Sequence, residues 1–178
     1  MVSKKLKQNF FRRKAEDVAR ELIGRKLVRN LEEKILSGII IETEVHSREQ
    51  KRTPKTEGAF ADAGIIHMYP SQGKLILAIA TGDFNEYSEI SIRALKPLEG
   101  IERMIKNRGT RDYTTLTNGP GKLTQALQIT KDFNGKAIYD SHELWIEGES
   151  ANNSQIVYSK QGNSKDSGGV FKLKDNTE

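Results

Sequence analysis

A chain of 178 residues, 35% hydrophobic and 30% charged, is long enough to bury a proper core and carries a formal net charge of +5. It contains no cysteine, which excludes a disulfide framework, a thiolate zinc site and a cysteine nucleophile. No apolar run reaches the roughly 20 residues of a membrane span, and no apolar region follows the basic start as in a signal peptide, so a soluble, cytoplasmic protein is expected. Lys4, Lys5, Lys7, Arg12, Arg13 and Lys14 precede the first acidic residue, and Arg48, Lys51, Arg52 and Lys55 form a second basic cluster. Such clusters suit phosphate neutralisation, which supplies affinity without sequence information.

Asn9-Phe10-Phe11 opens a segment in which Ala15, Val18, Ala19, Leu22 and Ile23 recur at helical spacing, and Gly24 is placed to end that helix in the left-handed conformation. Residues 26–31 read as a strand, 32–34 as a turn and 35–45 as the returning strand. There the apolar run Gly38-Ile39-Ile40-Ile41 gives way to Glu42, Glu44 and His46 at alternating positions, so three polar side chains share one face. Two carboxylates and an imidazole leaving a buried strand are costly unless paired, hydrogen-bonded or used. A salt-bridged strand end facing solvent and a working site both satisfy that condition. Residues 47–58 are polar, basic and interrupted by Pro54, and read as an exposed loop.

Residues 65–69 and 75–80 predict two strands joined around Pro70-Ser71-Gln72-Gly73, and 90–95 predict another, closed by Pro97. Leu98, Ile101, Met104 and Ile105 mark an amphipathic helix running to about Arg108. Gly119-Pro120-Gly121-Lys122 precedes a short helix bearing Leu123, Ala126 and Leu127, and Leu144-Trp145-Ile146 forms a late strand. After Ser150 the composition turns to Asn, Ser, Gly and Lys, with only 156–158 and 170–173 strand-like. With no internal repeat and no domain boundary, residues 1–178 predict a single α+β unit, in which 1–9 form a basic arm and 150–178 a divergent polar segment.

Asn118-Gly119-Pro120-Gly121-Lys122 suits anion binding, because backbone N–H groups converge at a helix start, glycines allow close approach and a lysine adds charge. An ordinary Gly-Pro turn reads equally well, and neither the glycine spacing nor the residue after the lysine matches a Walker loop. Arg93, at the end of an apolar strand, is placed to pair with a carboxylate such as Glu44, either to orient it and hold a water against it or as a structural ion pair. His46, His67 and His142 are too scattered for a local metal motif, and no metal or other cofactor is expected.

Taken in order, Ile40-Ile41-Glu42-Thr43-Glu44, Arg93-Ala94-Leu95-Lys96-Pro97-Leu98-Glu99-Gly100 and Asn118-Gly119-Pro120-Gly121-Lys122-Leu123-Thr124-Gln125-Ala126-Leu127 resemble the alkyladenine (3-methyladenine) DNA glycosylase family. The likeness runs from Phe10 to about Trp145. It implies a curved, mainly antiparallel sheet with a protruding hairpin and flanking helices. The implied activity is DNA repair: a damaged purine such as 3-methyladenine or hypoxanthine is flipped from the duplex and its N-glycosidic bond is hydrolysed, starting base excision repair without lyase activity.

By the same resemblance Glu44 is the general base and Arg93 positions its water, while His46, Tyr69 and Ile79 fall at base-pocket positions. Arg52, Thr53, Lys55, Gln72, Gly73, Lys74, Leu75, Gly121 and Lys122 fall in DNA-contacting segments. The departures are specific. His46 replaces an aromatic wall, the short loop after it lacks the pocket histidine, Gln72 replaces the wedging tyrosine, and Ile79 replaces a pocket asparagine. The implied partner is double-stranded DNA containing a damaged purine, bound by a monomer and away from membranes. A member that kept the fold but lost turnover, binding duplex nucleic acid without catalysis, is the competing class, and an RNA-binding formyltransferase-domain fold is a distant third by analogy. Duplex affinity is expected to fall as salt rises from low to moderate, through Lys122, Arg52, Lys55 and the N-terminal basic residues. A titration at several ionic strengths checks this, and salt-independent affinity would refute it.

Overall fold

The computed structural model describes residues 4–47, 51–160 and 168–175. Strands β1 (Lys26–Leu31) and β2 (Lys34–Ser47) are joined by Glu32 (φ 50°) and Glu33 (φ 65°), the positive-φ pair that a two-residue hairpin needs. Strands β3 (Ile66–Ser71) and β4 (Lys74–Ala80) are joined the same way by Gln72 (φ 49°) and Gly73 (φ 74°). With β5 (Ser88–Glu99), β6 (Leu144–Glu147), β7 (Ile156–Lys160) and β8 (Gly169–Leu173) they make one 8-stranded sheet. Its order is β3-β4-β5-β2-β1-β6, with β8 pairing both β2 and β7, and every pairing among the described strands is antiparallel. Helices α1 (Gln8–Phe11), α2 (Ala15–Leu22), α3 (Ile101–Arg108) and α4 (Pro120–Ala126) complete an α+β arrangement. No helix among the described residues is long and apolar enough to cross a membrane.

The 14-residue β2 is the axis of the sheet. One edge is lined first by β1 and then by β8, while β5 runs along the other. Its register with β5 is interrupted once in the middle: Ile40 faces Leu95 and Thr43 faces Ile92, but between them Glu42 faces Ala94, and neither Ile41 nor Arg93 has a partner. The buried side changes phase there. Leu36 and Ile40 enter the core from even positions, Thr43 and Val45 from odd ones, and β5 likewise passes from Ile90 and Ile92 to Leu95. A one-residue slip moves every later side chain to the other face. Continued without the break, the alternation from Ile40 would drive Glu42 and Glu44 into the apolar core.

Helix α2 buries Ala15, Val18, Ala19 and Leu22, as their spacing predicts. The expected single helix from Asn9 is instead two pieces, since Lys14 is extended (ψ 138°) and a new helix starts after it. Gly24 has φ +90° as expected, but its N–H turns to the Ile40 carbonyl (2.9 Å) rather than back to the helix. Pro97 does not close β5, which continues to Glu99. The ring sits opposite Gly38, where the register again shifts, and β4 no longer runs alongside, so the missing N–H breaks no regular ladder there. Leu98 therefore belongs to β5 and is 49% exposed, and the helix begins at Ile101 after Gly100 (φ 71°).

Both chain ends that composition marks as polar are tied to the sheet. Leu6 donates its N–H to the Ile146 carbonyl (2.9 Å) and Lys5 lies over the Trp145 ring (4.1 Å). Strand β8 pairs with β2 from Glu42 to Val45. Thr43, between the two carboxylates, points into the core and donates its hydroxyl to the Ala19 carbonyl (2.9 Å), satisfying an acceptor near the end of α2. Thr43→Val keeps the shape and removes this bond. It is expected to cost about 1–3 kcal/mol through the unsatisfied carbonyl, read by denaturant unfolding.

Candidate active site

The face of β2 opposite the core presents Glu42, Glu44 and His46, and Arg93 from the interrupted stretch of β5 reaches across to two of them. Its Nε donates to Glu42 Oε1 (3.0 Å) and its Nη1 to Glu44 Oε2 (2.5 Å). Irregularities of this kind re-aim a side chain without ending the strand. Burial works against the Arg93 charge, but Glu44 and Glu42 outweigh it and its pKa is raised. Lys172, delivered by β8, pairs with Glu42 (3.2 Å). His46 Nε2 lies 3.2 Å from the Ser91 hydroxyl and 3.6 Å from Glu44 Oε2. Among the described residues, Glu44 makes its contacts through Oε2 and leaves Oε1 uncommitted.

Beyond Ala78, β4 diverges from β5, since their pairing covers only Ala78↔Ser91 to Ala80↔Glu89. The vacated edge of β5 is taken by Thr117, which accepts the Leu95 N–H (3.0 Å) and donates its hydroxyl to the Leu95 carbonyl (2.7 Å). That pairing brings the start of α4 beside Arg93. A cleft of about 390 Å³ results, lined by Ser71, Gln72, Lys74 and Ile76 of the hairpin, by Arg93, and by residues 119–122. The helix is fastened to the hairpin: Thr124 donates to the Leu75 carbonyl (2.7 Å) and Lys74 Nζ to Gln125 Oε1 (2.9 Å). Gly121 is required by contact, because a Cβ there would lie 2.6 Å from Lys74 Cβ. Lys122 donates to Asn118 Oδ1 (2.9 Å). With only 7 residues, α4 has a short dipole, and the charge in the cleft comes from Lys74, Lys122 and Arg93.

The expected DNA-contacting residues thus fall in two groups. Gln72, Gly73, Lys74, Leu75, Gly121 and Lys122 gather at the hairpin and the start of α4. Arg52, Thr53 and Lys55 lie on a separate loop, where Arg52 pairs with Glu57 (2.8 Å) and Thr53 donates its N–H to the Thr56 hydroxyl (2.9 Å). Arg48 lies outside the described residues.

Tyr69 shares the face of Glu44. Burial, then the charges of Glu89 and Glu44, hold its hydroxyl protonated far above the ordinary phenol range. Ile79, expected in the base pocket, is not brought to this face. It pairs with Ile66 and Ile90, all three fully buried in the main core, while its neighbour Ala78 lies on the Glu44 side opposite Ser91. Strand alternation excludes both from one face. Ser91, Glu89 and His67 were not anticipated, although Glu89, Ser91 and Arg93 alternate with Ile90 and Ile92 in the same pattern that singled out β2.

Residues 9–161 match the model of the methylpurine-DNA glycosylase family. Relatives carrying the name "Putative 3-methyladenine DNA glycosylase" include one from Listeria monocytogenes, 38% identical over 141 residues, which are 74% of this chain and 68% of the relative. Another, from Clostridium perfringens, is 35% identical over 165 residues, covering 83% of this chain and 80% of its own. A third, from Natranaerobius thermophilus, is 34% identical over 172 residues, covering 89% and 87%. A carboxylate pair clamped by one arginine beside a basic cleft, with this match over most of the length, makes the chain a member of the methylpurine-DNA glycosylase family.

Proposed function

We propose that the protein releases a damaged purine, such as 3-methyladenine or hypoxanthine, from duplex DNA by hydrolysing its N-glycosidic bond, acting as a monofunctional glycosylase. The observation that carries this reading is the Glu44 carboxylate, held at Oε2 by Arg93 with Oε1 uncommitted among the described residues. A fixed carboxylate with one free oxygen can take a proton from a water attacking C1′. The same negative charge steadies the oxocarbenium-like sugar that such cleavages pass through. Arg93, divided between Glu42 and Glu44, fixes the direction of the base while balancing two partly buried charges.

Chemistry on a stacked base requires extrusion, at a cost of a few kcal/mol that is smallest for damaged or mispaired bases. The cleft between hairpin and α4, with Lys74 and Lys122 on its rim, suits a phosphate backbone drawn past the site. Gln72 at the hairpin tip fills a gap in the stack less well than an aromatic, whose stacking contributes about 1–3 kcal/mol. Glu44→Gln keeps size and hydrogen-bonding capacity but cannot take up the proton. The variant is expected to bind lesion-containing duplex like the wild type and to release no base, measured by single-turnover excision across a lesion panel. Release at a comparable rate by the variant would refute the role of Glu44, and a wild type that binds every lesion and releases none would identify a non-catalytic duplex binder.

A further inference from the structure

The face that carries the partly buried Glu42 and Glu44 holds a third, more deeply buried carboxylate that the chemistry above leaves idle. Glu89 Oε2 lies 2.7 Å from His67 Nδ1, and their side chains are only 4% and 9% exposed. Burying such a pair is rarely a gain in stability over apolar residues of similar size, and strand alternation puts both on the face opposite the core residues Ile66, Ile79 and Ile90. The register places them. His67 faces Ala78, Ala78 faces Ser91 and Ser91 faces Glu44, so the imidazole and the general base end one row across four strands. Three strand spacings of about 4.8 Å put their backbones about 14 Å apart, and the side chains between them are a methyl group and a hydroxymethyl group.

Substitution at a sugar carbon needs its two helpers on opposite sides, one activating water behind the carbon and one assisting the leaving ring beyond it. The row has that layout. Among the described residues, Arg93 is committed to two carboxylates and His46 to Ser91 and Glu44, while burial and the nearby carboxylates raise the pKa of the Tyr69 hydroxyl. Glu89 occupies Nδ1 of His67, which leaves Nε2 for a ligand. The His67 ring packs 5.3 Å from Tyr69, centroid to centroid, and borders a cavity of about 540 Å³ shared with Arg52, Phe60 and Phe84.

Resting on the glycosylase reading, we propose that His67, oriented by Glu89, is the proton donor to the departing purine. As the N9–C1′ bond breaks, its electron pair goes to the purine, and the Nε2 proton of the His67 imidazolium passes to a ring nitrogen. The water oxygen bonds C1′ and its proton goes to Glu44. Neutral His67 keeps its Nδ1–H on Glu89 and regains the other proton from solvent.

Leaving-group charge supplies the test. Hypoxanthine is neutral in DNA and needs this proton, whereas 7-methylguanine is already cationic and departs without it. Single-turnover release of both lesions from one duplex sequence is measured with the wild type, His67→Gln and Glu89→Gln. Both variants are expected to release hypoxanthine roughly a hundredfold more slowly, the scale of a lost general acid, with 7-methylguanine release close to wild type. The latter also reports that the variants are folded. Equal slowing of both lesions, hypoxanthine release unaffected, or a wild type active only on 7-methylguanine would overturn the proposal. A wild type that releases 3-methyladenine but neither of these lesions would overturn it as well, and one that releases none of the three would instead overturn the glycosylase reading itself.

Discussion

The interruption between Ile40 and Thr43 of β2, matched at Arg93 of β5, is the constraint on which the rest depends. A sheet that covers a core on one face and holds charges on the other obeys a two-residue period, and one irregular step decides which side each later residue takes. Here that step lets Ile40 finish the core on one side of the break and Thr43 and Val45 on the other, while Glu42 and Glu44 leave it. It also frees Arg93 from a ladder partner, so that the guanidinium can serve two carboxylates from the neighbouring strand. Core packing and site geometry are therefore one choice of register.

A second dependence follows from where β4 parts from β5. The divergence would leave an unpaired strand edge, and the Thr117 segment covers it. The cover is also the lead-in to α4, so satisfying the backbone of β5 and walling the basic cleft are accomplished by the same few residues. Gly121 then lets the helix press against Lys74 closely enough for Thr124 and Gln125 to tie it to the hairpin. Hairpin and helix are thereby joined by side-chain bonds, which fixes two walls of the basic cleft relative to each other.

The sequence made the strand and helix positions legible because period and turn chemistry are local. The 26–31 strand, the places of both hairpin turns and the buried face of α2 follow from neighbours alone, although nothing in Glu32-Glu33 announces its positive φ. The phase change was not legible, since Ile39-Ile40-Ile41 is equally apolar in either phase and hides the step. Pro97 misled for a related reason: a proline ends a strand only where its N–H is needed, and that depends on a partner far away in the chain. Ile79 shows the limit of reading a site from resemblance, because correspondence along the chain does not report which face a strand presents. Glu44 and Arg93 were singled out through distant motifs and are paired in the structure, whereas His67 and Glu89 are 22 residues apart and meet only across the sheet.

The half of β2 that bears the carboxylates is an interior strand only because β8 lies against it from Glu42 to Val45. Without that last segment, the site-bearing strand would have an open edge and Glu42 would lose Lys172. Since β8 is the last of the described strands, the charged face is completed only when nearly all the described chain is present. Assembly of the site is in that sense coupled to a segment far downstream of it, and a composition that reads as a loose polar tail supplies the strand that covers the edge of β2.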